Sequence, residues 1–127
     1  MEEQVKLDEV EIGEDTPQVE AKTVKIENYN IEKVEKEEKH IGDKLVLSVK
    51  HPDFEEFLEI SQIKYEFGEK IKVSGLWVKL DKDSKLPYKS ALAHFLRYVH
   101  RNNIKDLVGV EVNTTTNENG YLVIKAY

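Results

Sequence analysis

The side chains with the most to offer chemically lie between residues 65 and 101. Trp77, the single tryptophan, is followed by Lys79, Lys82, Lys85 and Lys89, with Tyr65 before the stretch and Tyr88 within it. Flat aromatic faces take up bases by stacking, worth roughly 1–3 kcal/mol per base, and a row of ammonium groups follows a phosphate backbone. Residues 79–105 hold seven Lys or Arg against Asp81 and Asp83, a local net charge of +5. That combination is the chemistry of single-strand nucleic-acid binding. Each residue type also has a plainer use. A lone tryptophan in a small domain is commonly a core or rim residue, and loop lysines are commonly only solvated.

A second set, His94, Arg97, Tyr98 and Arg101, falls on the polar side of an amphipathic segment and offers a contact face for a protein partner or a second copy. The histidines do not make a metal set. His94 and His100 are six apart, off the i, i+4 spacing of a helical zinc pair, and His40 and His51 fall in or beside expected loops. With no cysteine, a disulfide framework, a thiolate zinc site and a cysteine nucleophile are excluded. No phosphate-cradling or nucleophile-elbow glycine motif is present. The acid pairs Glu37–Glu38 and Glu55–Glu56 lack the apolar surroundings that acid–base work needs. No catalytic residue, cofactor or metal is therefore expected.

The elements that must position these residues follow from periodicity. Val24 and Ile26, then Leu45, Leu47 and Val49, alternate with polar neighbours and predict a long antiparallel hairpin, with turn chemistry at Gly42–Asp43 and an end at His51–Pro52. Asp53–Gln62 reads two ways: Phe54, Phe57 and Leu58 fit a short helical turn with Asp53 as N-cap leading into a strand, whereas Leu58, Ile60, Ile63, Tyr65 and Phe67 fit strands instead. Further on, Ile71 and Val73 share one parity and Leu76, Val78 and Leu80 the other. A strand with one buried face cannot change parity without an extra residue, so a bulge is expected at Ser74–Gly75. Trp77 then faces away from Leu76 and Val78, on the side of Lys79. Leu92, Phe95, Leu96 and Val99 predict a helix near 89–102, opened by Ser90 and closed by Asn102–Asn103. Residues 104–109 read as a tight turn. Val110, Val112, Leu122 and Ile124, around Asn119–Gly120, predict a second hairpin.

The resulting order, β-β-β-α-β-β, resembles that of the OB-fold, a five-stranded, partly open barrel. The C-terminal half adds to this. Gly75-Leu76-Trp77-Val78, the Ser90–Leu96 helix start, Leu107-Val108-Gly109-Val110-Glu111-Val112 and Asn119-Gly120-Tyr121-Leu122 are similar to a pattern of small archaeal, viral and phage proteins. The resemblance implies a mainly β, OB-like barrel with its helix between strands three and four, akin to replication-associated single-strand binders. It implies no catalytic residue.

Composition frames these readings. A chain of 127 residues suits one domain with a real core. Lys and Glu dominate its charge, with two Arg, one Met and no Cys, a balance that heat-adapted proteins tend to show. The net charge of -6 gathers toward the N-terminus: residues 1–38 carry 13 acids against 5 lysines, and 39–127 carry 12 acids against 14 Lys or Arg. Overall acidity is therefore no bar to an anionic partner that binds locally. Residues 1–18 read as an acidic flexible tail and 19–127 as the single domain. The absence of a signal-peptide pattern and of any apolar run near the roughly 18 residues a span takes points to a cytoplasmic, non-membrane protein. The expectation is a non-catalytic binder of single-stranded DNA or RNA with little sequence preference. Its rival is a protein-interaction or assembly module that uses the helix face or exposed strand edges.

Overall fold

Alternating apolar residues build the longest pair of elements. In a computed structural model, which describes residues 19–127 and leaves the acidic segment 1–18 outside, β1 (Val24–Lys36) and β2 (Lys39–Lys50) form an antiparallel hairpin. Val24, Ile26, Leu45, Leu47 and Val49 face the core from it. The turn is Glu37–Glu38, with φ of 53° and 65°. Two left-handed residues are what a tight turn needs to match the twist of its strands. The turn expected at Gly42–Asp43 is thus displaced: both residues lie within β2, opposite Val34 and Lys33. Register shifts leave Glu27 in β1 and Ile41 in β2 as extra, unpaired residues.

Pro52 cannot extend the ladder, and β2 stops before it as expected. The next residues form turns and bends, not the expected helical turn. Asp53 does not cap a helix. Its backbone N–H donates to Nδ1 of the wholly buried His51 (3.0 Å), and its carboxylate accepts from Lys22 (2.9 Å). That hydrogen bond is the main cause that raises the Lys22 ammonium above its ordinary pKa. Because Nδ1 of His51 accepts, the ring proton sits on Nε2 and points to the Glu20 carbonyl at 2.7 Å.

Six more strands follow: β3 (Leu58–Ile60), β4 (Gln62–Phe67), β5 (Lys70–Gly75), β6 (Glu111–Val112), β7 (Thr114–Thr116) and β8 (Leu122–Ala126). They complete two four-stranded sheets, ordered β3-β2-β1-β6 and β5-β4-β8-β7. Single-residue breaks at Ser61 and Asn113 separate β3 from β4 and β6 from β7. Two stretches therefore pass from one sheet into the other, and such strands make the corners of curled sheets. Every pairing is antiparallel except β4 with β8, which runs parallel from Ile63↔Ile124 to Tyr65↔Ala126. Among the described residues the result is a mainly β half-barrel with one α-helix. It differs from the expected barrel in having eight strands where five were read, and its helix follows the fifth. The strand expected third, with its bulge at Ser74–Gly75, is β5; β3 and β4 precede it, and the break at Asn113 divides β6 from β7.

β5 corrects a second expectation. It pairs with β4 without irregularity, from Phe67↔Lys70 to Gln62↔Gly75, so no bulge lies at Ser74–Gly75. Nor does the parity change: Ile71, Val73 and Trp77 lie outside and Leu76 inside on one unbroken alternation, and what changes is the strand partner. The Leu76 N–H donates to the Ser61 carbonyl (2.9 Å), after which Leu45 N–H donates to Leu76 O and Val78 N–H to Asp43 O, both at 2.8 Å. Leu76 enters the core, whereas Ile71 and Val73 stay outside, 44% and 41% exposed.

The helix α1 (Ala91–Tyr98) starts as expected, with Ser90 Oγ accepting from Ala93 N–H at 3.1 Å, and buries Leu92, Phe95 and Leu96. It packs against β4 and β8. It is shorter than expected because His100, with φ of 58°, supplies the left-handed residue and Arg101 N–H returns to the Leu96 carbonyl. Asn103 caps the following 3₁₀ turn (Ile104–Leu107) instead, through Asp106 N–H, and Leu107 is wholly buried. In the last hairpin the Asn117 side chain accepts from the N–H groups of Asn119 and Tyr121, and Gly120 takes a φ of 82°. Among the described residues no helix is long and apolar enough to cross a membrane.

The partner exchange has a measurable consequence for two isoleucines in neighbouring strands. Ile63→Ala opens a cavity in the core and is expected to cost about 2–5 kcal/mol in urea unfolding, whereas Ile71→Ala costs below about 1 kcal/mol. Equal losses would contradict this placement of β5.

Candidate nucleic-acid interface

The pairing of residues 76–78 with β2 decides where the tryptophan goes. Trp77 stands opposite Lys44 in an isolated antiparallel bridge, between the Leu45–Leu76 and Val78–Asp43 hydrogen bonds. This is the non-hydrogen-bonded kind of pair, in which facing side chains approach most closely. Leu45 and Leu76 point inward, so Lys44 and Trp77 share the outer face. The indole lies across two glycines. A Cβ at Gly42 would stand 3.2 Å from its Cε3, and a Cβ at Gly75 2.9 Å from its Nε1. Only glycine lets the ring settle onto the sheet backbone from both strands. Lys44 Nζ sits 5.4 Å from the ring centre, within cation–π range. Trp77 remains 36% exposed, an aromatic surface with a rigid floor.

A groove of about 530 Å³ opens beside the ring where residues 78–80 diverge from β2, with Ile41, Lys79 and Leu80 on its walls. Ile41 is the extra residue of the β2 irregularity and is 54% exposed. Bulges commonly re-aim a side chain in this way. The loop beyond is held by one carboxylate: Asp81 Oδ1 accepts from the N–H groups of Asp83 (2.8 Å) and Lys85 (3.1 Å). Lys79, Lys82, Lys85 and Lys89 are all exposed around it. Among the described residues no carboxylate forms an ion pair with any of these four.

A second groove, about 650 Å³, continues from the first across Val78 and Leu80 and reaches Lys85, Tyr88, Arg97 and Arg101. Tyr88 is 74% exposed, and the Arg97 guanidinium lies 3.8 Å above its ring while donating to the Tyr88 carbonyl at 2.7 Å. Arg101 donates from Nε to Asp106 O (3.2 Å) and from its terminal nitrogen to Val99 O and His100 O (3.3 Å each).

The structure thus gathers Trp77 with Lys79 in one groove and Lys85 with Tyr88 in its neighbour, and leaves Lys82 and Lys89 outside both. Tyr65 does not join them. It is buried on the inner side of β4, its ring 5.1 Å from His94 and 6.4 Å from Phe67, and it has no face to offer a base. The contact face expected from His94, Arg97, Tyr98 and Arg101 also divides. His94 packs on Tyr65, Tyr98 OH donates to the Tyr127 carbonyl (3.3 Å), and only the two arginines line the second groove. Within α1, His94 and Tyr98 turn toward Tyr65 and Tyr127, and beyond its end the chain brings Arg101 to the groove that Arg97 lines.

Ile41, Gly42, Lys44 and Gly75 were not among the expected site residues. Glycines inside strand-like stretches were the available signal for a close approach. What approaches them is a matter of tertiary pairing. Among the described residues, no three His, Asp or Glu side chains gather as metal ligands would.

The glycine floor is testable by adding a methyl group to it. Gly75→Ala forces the indole and Lys44 outward and is expected to cost about 1–3 kcal/mol, with a red-shifted Trp77 emission. Unchanged emission would show that the ring does not lie on Gly75. The chain matches no protein-family model, no curated protein and no solved structure.

Proposed function

We propose that this protein is an OB-like barrel that binds single-stranded DNA or RNA in the cytoplasm, without catalysis or cofactor and with little sequence preference. The observation that carries the proposal is the Trp77 indole laid on Gly42 and Gly75, with Lys44 and Lys79 beside it. Every base has a π-face, so an aromatic platform accepts any of them, and ammonium groups beside it meet the phosphates. The topology supports the barrel. Joined across Ser61 and Asn113, the strands are β1, β2, 58–67, 111–116 and β8, with α1 between the third and the fourth and β5 as an added hairpin strand. The parallel contact of β4 with β8 brings the last strand beside the third.

One observation favours the rival reading of a protein-interaction module. β5 ends its sheet, with Ile71 and Val73 exposed on it, and an open strand edge can take a peptide as an extra strand. The Trp77 site is the stronger of the two. Lys70 and Lys72 alternate with the apolar pair on β5, and lysines on an edge strand discourage strand addition.

Titration of the full chain with an oligothymidylate of about twelve nucleotides, within the span one such barrel covers, tests the proposal. Trp77 fluorescence is expected to quench saturably, and the affinity to fall as salt rises, by about 0.7 logarithmic units per phosphate contact for each tenfold change. Trp77→Leu keeps apolar cover over the glycines but removes the π-face, so by mobility shift it is expected to weaken binding by about 1–3 kcal/mol while Trp77→Phe retains most of it. Absence of both quenching and a mobility shift at low salt would leave the interaction module as the better account.

A further inference from the structure

The second groove holds the densest set of cations beside the Trp77 platform, and nothing in the Trp77 proposal requires it. Lys85, Arg97 and Arg101 line it together with Tyr88, and no acidic side chain does. Among the described residues none of these three cations is ion-paired with a carboxylate. A structural arginine ordinarily has such a partner or is solvated. Arg97 is exposed, but its guanidinium also sits over the exposed Tyr88 ring and donates to the Tyr88 carbonyl. The planar guanidinium is thereby held in one orientation before any ligand arrives, and its fork geometry matches a phosphate. Arg101 adds positive charge at the same wall, its position fixed by three backbone carbonyls.

We infer that this groove is a phosphodiester site, in which Arg97 on Tyr88, with Lys85, takes the backbone of the strand whose base stacks on Trp77. The inference rests on the Trp77 proposal and assigns Arg97 and Arg101 to the nucleic-acid surface instead of a protein-contact face. Proximity carries it: Val78 and Leu80 line both grooves, so the Arg97 groove adjoins the one beside Trp77. The two grooves then divide the work. Trp77 supplies stacking that salt does not weaken, and Arg97 with Lys85 adds phosphate contacts, which salt does weaken, to those of Lys44 and Lys79.

That division can be read in the full chain with the same oligothymidylate. Arg97→Gln is expected to lower affinity about five- to tenfold and to flatten the salt dependence by about 0.7, one phosphate contact, while the maximal quenching of Trp77 stays as in the unsubstituted protein. Arg97→Lys restores charge without the flat stack and is expected to recover the salt slope but only part of the affinity. Trp77→Leu lowers affinity with the salt slope intact. An unchanged slope in Arg97→Gln overturns the inference, and so does a loss of quenching amplitude, which would mean that the residue acts through the fold around Trp77. An oligoglutamate peptide that binds in an Arg97-dependent way, when the oligonucleotide does not, also overturns it and marks a protein surface. If the oligonucleotide binds with an Arg97-dependent salt slope but without quenching, the groove stands and the Trp77 platform falls. Circular dichroism of each variant shows that the fold is retained, and Lys85→Gln provides a second, exposed position at which the same slope change is expected.

Discussion

At Gly75 the chain gives up one strand partner and takes another, and most of the molecule is arranged by that exchange. Up to Gly75 it is the outer strand of the β4 sheet; from Leu76 it is bonded along β2 in the other sheet. The backbone hydrogen bonds leave little freedom here, because buried N–H and C=O groups have to be paired. With Leu76 N–H on Ser61 and Val78 N–H on Asp43, the side chain between them can only emerge on the outer face, opposite Lys44. A ring as large as indole fits at that spot because both strands beneath it present glycine. Alternation continues unbroken through the exchange, so Ile71 and Val73 stay outside the core and Leu76 enters it.

Beyond Trp77 local polar contacts add to the burial of Leu92, Phe95, Leu96 and Leu107 in holding the backbone. Asp81 organises the loop through two backbone N–H groups, Ser90 opens the helix, and Arg101 closes the far side against three carbonyls. The lysines of this region are left pointing to solvent on a well-defined frame. Charge that is unpaired and locally clustered creates a field an anionic ligand can sense, even though the chain as a whole is acidic. Two adjoining grooves with different chemistry, one aromatic and one cationic, follow from the frame.

Much of the fold was legible because it depends on nearest neighbours in the chain. The alternation of Leu45, Leu47 and Val49, the stop at Pro52, the Ser90 cap and the turn at Asn117–Tyr121 act over a few residues, and the structure shows each where periodicity and capping place it. The failures have a common form. Gly42–Asp43 has turn chemistry but lies in mid-strand, since the hairpin pairs through to Glu37–Glu38 and the missing side chain serves the indole. Tyr65 has the type of residue a stacking site needs, but its parity with Ile63 turns it to the core, against His94.

The amino-acid sequence by itself determined the strand-rich class, the single main helix, the outward parity of Trp77 and the cationic character of residues 79–105. Periodicity, capping and charge are local properties, so one-dimensional order is enough to specify them. Only the tertiary structure decided that eight strands form two sheets joined through Ser61 and Asn113, and that Gly42 and Gly75 meet under one ring. It also carried Arg97 away from Tyr98 and onto Tyr88. Those outcomes depend on which strand a backbone N–H finds as its partner. That choice is made by competition among segments far apart in the chain, and it is resolved only when the whole core closes.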